Sequence, residues 1–231
     1  QDMQNQSAQW LNVRRDRPDF MIMYGWGALQ PTTVKEAVKI NYPMDKFISI
    51  WWPGEDDVKA GGDGAKGFKE LNWHAASADF PVIADIRKHV VDKGLSQVES
   101  KDKVGQLLYN RGVYNSMLIA EGIRTAQKLT GKKAVTGEDV RRGLESLNVD
   151  AARLKEMGME GFTGPIKLTC ADHNGHRPTF VQQWDGGKWN KISDWIEPLN
   201  EKVQPLLEAD AKAYAEKNAP WPARTEPCDA K

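Results

Sequence analysis

Three groups of residues have types and spacing that could do chemistry. Glu55-Asp56-Asp57 follows directly on Trp51-Trp52. An acid beside aromatic rings is a suitable counter-charge for an ammonium group. Acid–base work by a carboxylate pair would need partners held at set distances by other parts of the chain. The plainer reading is a solvated loop that caps a following turn. The second group is Cys170, Asp172, His173 and His176. These are metal-ligating types. However, Asn174-Gly175 marks a tight turn between two strands, which exposes both histidines, and the sequence supplies no fourth ligand held by packing. A solvated hairpin turn is therefore preferred, with a metal-binding or enzymatic module on Asp172, His173 and His176 as the alternative. The third group is aromatic: Tyr24, Trp26, Trp51 and Trp52 stand at the ends of two apolar runs.

No motif makes a positive case for catalysis. Gly-x-Gly-x-x-Gly does not follow any strand, and Gly61-Gly62-Asp63-Gly64 lacks the Lys-Ser/Thr of a phosphate loop. There is no Gly-x-Ser-x-Gly elbow. Neither cysteine has neighbours that would lower its pKa. The chain is read as a non-enzyme without a cofactor.

The composition narrows the class further. The 231 residues carry 32 basic and 32 acidic side chains, a net charge of zero. A nucleic-acid binder needs a basic excess for phosphate contacts, so no nucleic-acid partner is expected. The longest apolar stretches, such as 47–52, fall far short of the ~20 residues of a membrane span. Gln1–Gln9 is polar and does not read as a cleavable signal. Nine tryptophans are a large aromatic investment. Cys170 and Cys228 are the only cysteines. They are either two unrelated thiols or, in an oxidising compartment, one disulfide.

Elements that would position these groups can be read from periodicity. Residues 7–17 suit a short helix stopped by Pro18. The apolar run 19–24 is a buried strand ending at Gly25-Trp26-Gly27, and 31–40 is a helix with Val34, Ala37 and Val38 on one face. A second apolar strand, 47–52, ends in the loop Pro53–Asp57. Residues 67–73 alternate and suit a third strand. Strand, loop, helix, strand is the grammar of a parallel sheet, whose binding residues lie beyond the carboxyl ends of strands. Helices follow over 80–93, 104–130, 136–147 and 150–157. Thr136 with Asp139 suits a capping box, and Gly131 stops the longest helix. Residues 166–169, 179–184 and 189–192 read as strands, the last two joined by Asp185-Gly186-Gly187. A final amphipathic helix spans 203–217, and 219–231 is Pro-rich and irregular.

Several segments resemble one family. Pro18-Asp19-Phe20-Met21-Ile22-Met23-Tyr24-Gly25-Trp26-Gly27 is similar to the Pro-Asp, apolar strand, Gly segment of type I periplasmic binding proteins. The branched-chain amino acid and amide receptors of ABC transporters are the nearest subgroup. Glu121-Gly122-Ile123-Arg124-Thr125-Ala126 resembles that family's Glu-Ala-Ile-x-x-Ala helix. Gly161-Phe162-Thr163-Gly164-Pro165-Ile166 resembles its Gly-Phe-x-Gly-Pro-Leu strand. Gln182-Gln183-Trp184-Asp185-Gly186-Gly187 resembles its late Gln-x-Trp crossing. The motifs occur in the family's order over nearly the whole chain. They match its C-terminal portion only, so a fragment of a longer chain is expected.

The resemblance implies a two-lobe α/β architecture of parallel sheets flanked by helices, lacking its N-terminal portion. Residues 1–74 and 185–231 would form part of one lobe and 76–180 part of the other. It implies a periplasmic or extracellular substrate-binding component of an ABC importer. Such a protein closes by a hinge on an amino acid, an amide or an aromatic acid and passes it to a membrane permease, without inserting into the membrane itself. A ligand-sensing domain of a receptor with the same fold is the further alternative. Carried onto this chain, the ligand-binding residues are Tyr24, Gly25, Trp26, Trp51, Trp52, Glu55 and Tyr109. Glu55 would hold the ligand's ammonium group, and Tyr109 would flank its side chain. An extracytoplasmic location would also favour a Cys170–Cys228 disulfide, a long loop closure worth about 4 kcal/mol in the chain-entropy model.

Overall fold

The computed structural model describes residues 3–175, 177–222 and 228. Apolar runs in the first third of the chain form a sheet. Met21–Met23 (β1), Phe47–Ile50 (β2) and Lys69–Asn72 (β3) pair in parallel in sequence order. The helices Ser7–Asp16 (α1), Leu29–Lys39 (α2) and Glu55–Lys59 (α3) surround them. Two late strands complete a five-stranded sheet. Phe180–Trp184 (β6) pairs antiparallel with β3, and Trp189–Lys191 (β7) pairs antiparallel with β6 across the turn at Asp185. The sheet is thus mixed, with its parallel half carrying the chain's first aromatic strand ends.

Alternation along β6 explains its place. Phe180, Gln182 and Trp184 are buried while the residues between them are not. Trp184 and Trp189 face one core with Trp10, Phe47 and Phe68. Ring pairs lock it, with Phe47 and Phe68 centroids 4.9 Å apart at 86° and Trp184 and Trp189 5.5 Å apart.

The middle of the chain builds a second core from helices. Pro81–Ile86 (α4) continues into a π-helical turn over Arg87–Val91, where sequence periodicity predicts an unbroken helix to Lys93. Leu107–Thr130 (α5) packs on Gly137–Leu144 (α6), and Ala151–Glu156 (α7) follows. Helix α5 stops at Gly131, whose φ of +70° is a left-handed cap. Thr136 and Asp139 close α6 with the expected box: Asp139 N–H donates to Thr136 Oγ1 at 3.1 Å and Thr136 N–H to Asp139 Oδ2 at 2.9 Å. Asp150 caps α7 by accepting from Arg153 N–H at 2.8 Å. Ile83, Tyr114, Met117, Phe162 and Ile166 are among the residues that fill this core.

The two-strand ribbon here corrects one expectation. Ile166–Lys167 (β5) pairs with Asn148–Val149 (β4), while β6 pairs with β3. β5 and β6 thus lie in different sheets and do not form the expected hairpin. Cys170 and Cys228 are joined in a disulfide, with Cα atoms 5.3 Å apart.

Chain crossings link the two cores. His74 bridges Thr163, Ala75 N–H donates to Phe162 O at 2.8 Å, and Thr163 Oγ1 donates to Trp73 O at 2.9 Å. Helix α5 spans both: Leu107 belongs to the first core, Tyr114 and Met117 to the second. Asn110, between them, donates to Ala75 O and Ser77 O, both at 3.1 Å. The strand β6 falls across the boundary expected at 180–185 and lies wholly in the five-stranded sheet.

Candidate functional site

A mixed sheet presents its parallel strand ends on one edge, which is where open α/β sheets bind ligands. Here each of the three parallel strands is followed by an aromatic. Tyr24 follows β1, Trp51 and Trp52 follow β2, and Trp73 follows β3. The rings meet. Tyr24 and Trp51 have centroids 6.1 Å apart at 77°, and Trp51 and Trp73 are 5.1 Å apart at 60°. Tyr24 is 71% exposed and Trp52 40% exposed, a large aromatic area left open to solvent.

Arg111 enters this wall from α5. Its guanidinium carbon lies 4.9 Å from the Trp73 ring centroid and 5.6 Å from that of Trp52. Its Nε donates to His74 Nε2 at 3.0 Å, and one Nη donates to Asn72 Oδ1 at 3.4 Å. Burial and the adjacent Arg111 charge lower the His74 pKa to about 3, so its ring is neutral and free to accept that bond. The other terminal nitrogen, Nη1, is buried and has no hydrogen-bond partner among the described residues, and the same holds for Trp73 Nε1.

Behind the wall sits Glu70 on β3, fully buried. Gln182 Nε2 donates to it at 2.6 Å and Asn72 Nδ2 at 3.4 Å. Burial pushes its carboxyl well above the ordinary range, against the opposing pull of Gln182 and Arg111. A carboxyl whose folded pKa is raised adds most stability below its unfolded value near 4.5, and that contribution is lost as pH rises through the folded pKa. The expected result is a difference: relative to Glu70→Gln, the parent loses stability as pH rises above about 4.5, while the neutral His74, whose contribution grows as pH rises to 6.5, acts alike in both proteins. In Glu70→Gln this loss should be absent, with stability at pH 8 equal to or above the parent. Urea unfolding of both proteins from pH 5 to pH 8 checks it; parallel profiles for the two proteins would refute it.

The remaining expected site residues lie as follows. Gly25 O accepts from the buried Gln30 Nε2 at 2.6 Å, which fixes the loop after β1. Trp26, two residues after Tyr24, is 55% exposed. Tyr109, expected to flank the ligand's side chain, is half-buried and packs against the second core. Glu55 is only 7% exposed. Both of its carboxylate oxygens lie 3.1 Å from Leu107 N, at the start of α5. Asp56 pairs with Lys103, and Asp57 accepts from Gly54 N–H at 2.9 Å. All three acids of the triplet thus have partners within the fold.

His173 Nε2 lies 3.3 Å from Glu145 Oε1, and Asp172 Oδ1 accepts from Gly175 N–H at 2.8 Å. His176 lies outside the described residues. Among the described residues, no group of three acidic, histidine or cysteine side chains is placed to hold a metal ion. No helix among them is long and apolar enough to cross a membrane.

Sequence reasoning missed Trp73, His74 and Arg111. Trp73 was findable, because it ends the third parallel strand as Trp51 ends the second. Arg111 carried a signal too. It lies four residues after Leu107 and three before Tyr114, on the helix's buried stripe, where a cation requires a reason.

A model of the periplasmic binding protein family matches residues 1–188. A crystal structure from the Pseudomonas fluorescens group, described as an ABC transporter permease, is 37% identical with a TM-score of 0.86; the match covers 96% of this chain and 54% of that one. A branched-chain amino acid ABC transporter protein from Thermus thermophilus with bound valine is 17% identical with a TM-score of 0.68, covering 87% and 52%. An R. palustris ABC transporter solute-binding protein in complex with 4-hydroxybenzoate is 15% identical with a TM-score of 0.60, again covering 87% and 52%. The present chain spans about half the length of each of these structures. No curated protein is similar enough to match.

Proposed function

This chain belongs to the periplasmic binding protein family, and on that premise we propose that it is part of the extracytoplasmic substrate-binding component of an ABC importer. It binds a small amino acid, amide or aromatic acid between two lobes, closes by a hinge and delivers the ligand to a membrane permease. It performs no catalysis. The lobes divide near residues 74–76 and again near 180–185, so that the crossings at His74–Thr163 and Thr179–Ile196 form the hinge.

One observation carries the reading. Tyr24, Trp51 and Trp73 meet in successive ring contacts where three parallel strands end, and the partly exposed Trp52 shares the Arg111 guanidinium with Trp73. Gly25 and Trp26 shape the loop beside these rings. Glu55 and Tyr109 act from behind, through the position of α5. The ligands held by the Thermus and R. palustris relatives, valine and 4-hydroxybenzoate, fit the same range of small carboxylic acids.

The test uses the natural protein at full length. A panel of amino acids, amides and aryl acids is screened by thermal unfolding. A true ligand at a hundredfold excess over its Kd stabilises by about 2.7 kcal/mol. Trp51→Ala should weaken that ligand roughly tenfold, the worth of a lost ring contact together with its buried area. If no compound of the three classes raises the melting temperature, the reading fails.

A further inference from the structure

The unpartnered nitrogen of Arg111 says more about the ligand than the aromatic wall alone. A guanidinium has five donors in a rigid fork. Two nitrogens of this one are used, on His74 and Asn72, while buried Nη1 has no partner among the described residues. Leaving such a donor unmade is costly, and a charged donor is the costliest case. The neighbouring Trp73 Nε1 is a second buried donor without a partner. Two of the polar groups beside Arg111 already have partners. Glu70 receives Gln182 and Asn72. His74 is neutral and already accepts from Arg111. What remains is a surplus of unmet N–H donors on and beside a guanidinium that lies against two indoles.

That surplus repels an ammonium group and invites an anion that also has a flat apolar body. We propose that Arg111 anchors the carboxylate of an aryl acid whose ring lies against Trp51, Trp52 and Trp73. This rests on the binding-protein reading above and narrows its ligand class. Trp52 is the movable cover. It is the more exposed and more distant of the two indoles on Arg111, and on this proposal rotation of its side chain would open Nη1 to an incoming carboxylate. The carboxylate then takes the free donor, and the displaced indole returns onto the ligand ring.

The test compares benzoate, benzamide and valine by titration calorimetry on the full-length protein at neutral pH. Benzamide keeps the ring and removes the charge; valine keeps the carboxylate and removes the ring. Benzoate should bind at least tenfold tighter than either. Arg111→Gln should lose at least tenfold in benzoate affinity and change benzamide affinity less than twofold. Arg111→Lys, which keeps charge without the fork, should fall between. Equal binding of benzoate and benzamide by the parent protein would overturn the proposal without any variant. So would a folded Arg111→Gln that retains benzoate affinity. Binding of valine alone, or of none of the three while another panel compound binds, would overturn it and leave the receptor reading standing. Failure of the entire panel would overturn both.

Discussion

Replacing Gly143 with alanine is expected to destabilise the protein by roughly 3 kcal/mol, the upper part of the overpacking range. Gly143 lies in α6 where it crosses α5. A Cβ there would sit 2.2 Å from Gly122 O and 2.7 Å from Ala126 N. Both are backbone atoms of a helix and cannot rotate away. Relief requires α5 and α6 to separate, which opens the packed interface between them. Two other glycines supply the contrast. A Cβ on Gly122 would meet the Leu144 side chain at 2.5 Å, and that flexible end can move, so Gly122→Ala should cost less. Gly112 is exposed on α5 with nothing within 4 Å of the added atom. There alanine should stabilise by about 0.5–1 kcal/mol through helix propensity. For a domain of this size a 3 kcal/mol loss lowers Tm by about 6–12 °C. Thermal and urea unfolding of the three variants checks the order. A Gly143→Ala protein within 1 kcal/mol of the parent would show that the helices do not approach so closely.

The same helix marks what could be read from sequence and what could not. The strands β1, β2 and β3 were legible because each is an apolar or alternating run bounded by Gly, Pro or Asn. The caps at Thr136 and Gly131 were legible because they depend on residues a few positions apart. Pairing was not. Residues 166–167 and 180–184 both read as strands, yet their partners, 148–149 and 69–72, are chosen by burial of faces distant in sequence. The two-residue strand β4 is too short to show any period. The site divides likewise. Aromatics at strand ends were visible, since the strands were. Arg111 joins them only because α5 returns across the sheet edge, placing it on His74, 37 residues earlier. The acid triplet shows the limit most plainly. Its composition suits an ammonium group, and nothing in it shows that a helix start 52 residues later also meets Glu55.

That contact makes the second large prediction. Gln106, at the N-cap of α5, provides no side-chain cap, so the first-turn N–H of Leu107 depends on Glu55. Glu55→Ala strands a buried donor, which costs about 1–3 kcal/mol, and leaves a void where the side chain was. A total near 3 kcal/mol is expected. Glu55→Gln should cost under about 1 kcal/mol, because the amide oxygen still accepts from Leu107. Burial, the largest influence on this carboxyl, already raises its pKa above the usual value, so the charge contributes little. A raised folded pKa also means that the parent loses some stability as pH climbs through it, a slope that the glutamine variant should lack. Arg111 stands about one turn beyond Leu107. Fraying of that turn in Glu55→Ala should speed amide exchange over residues 107–111, and Glu55→Gln should keep those amides protected. A different outcome would follow if Glu55 instead faced a ligand's ammonium group. Alanine would then abolish binding while stability and exchange stayed at parent values. The two results exclude each other, so one variant measured three ways decides whether this acid holds the ligand or holds the helix that carries Arg111.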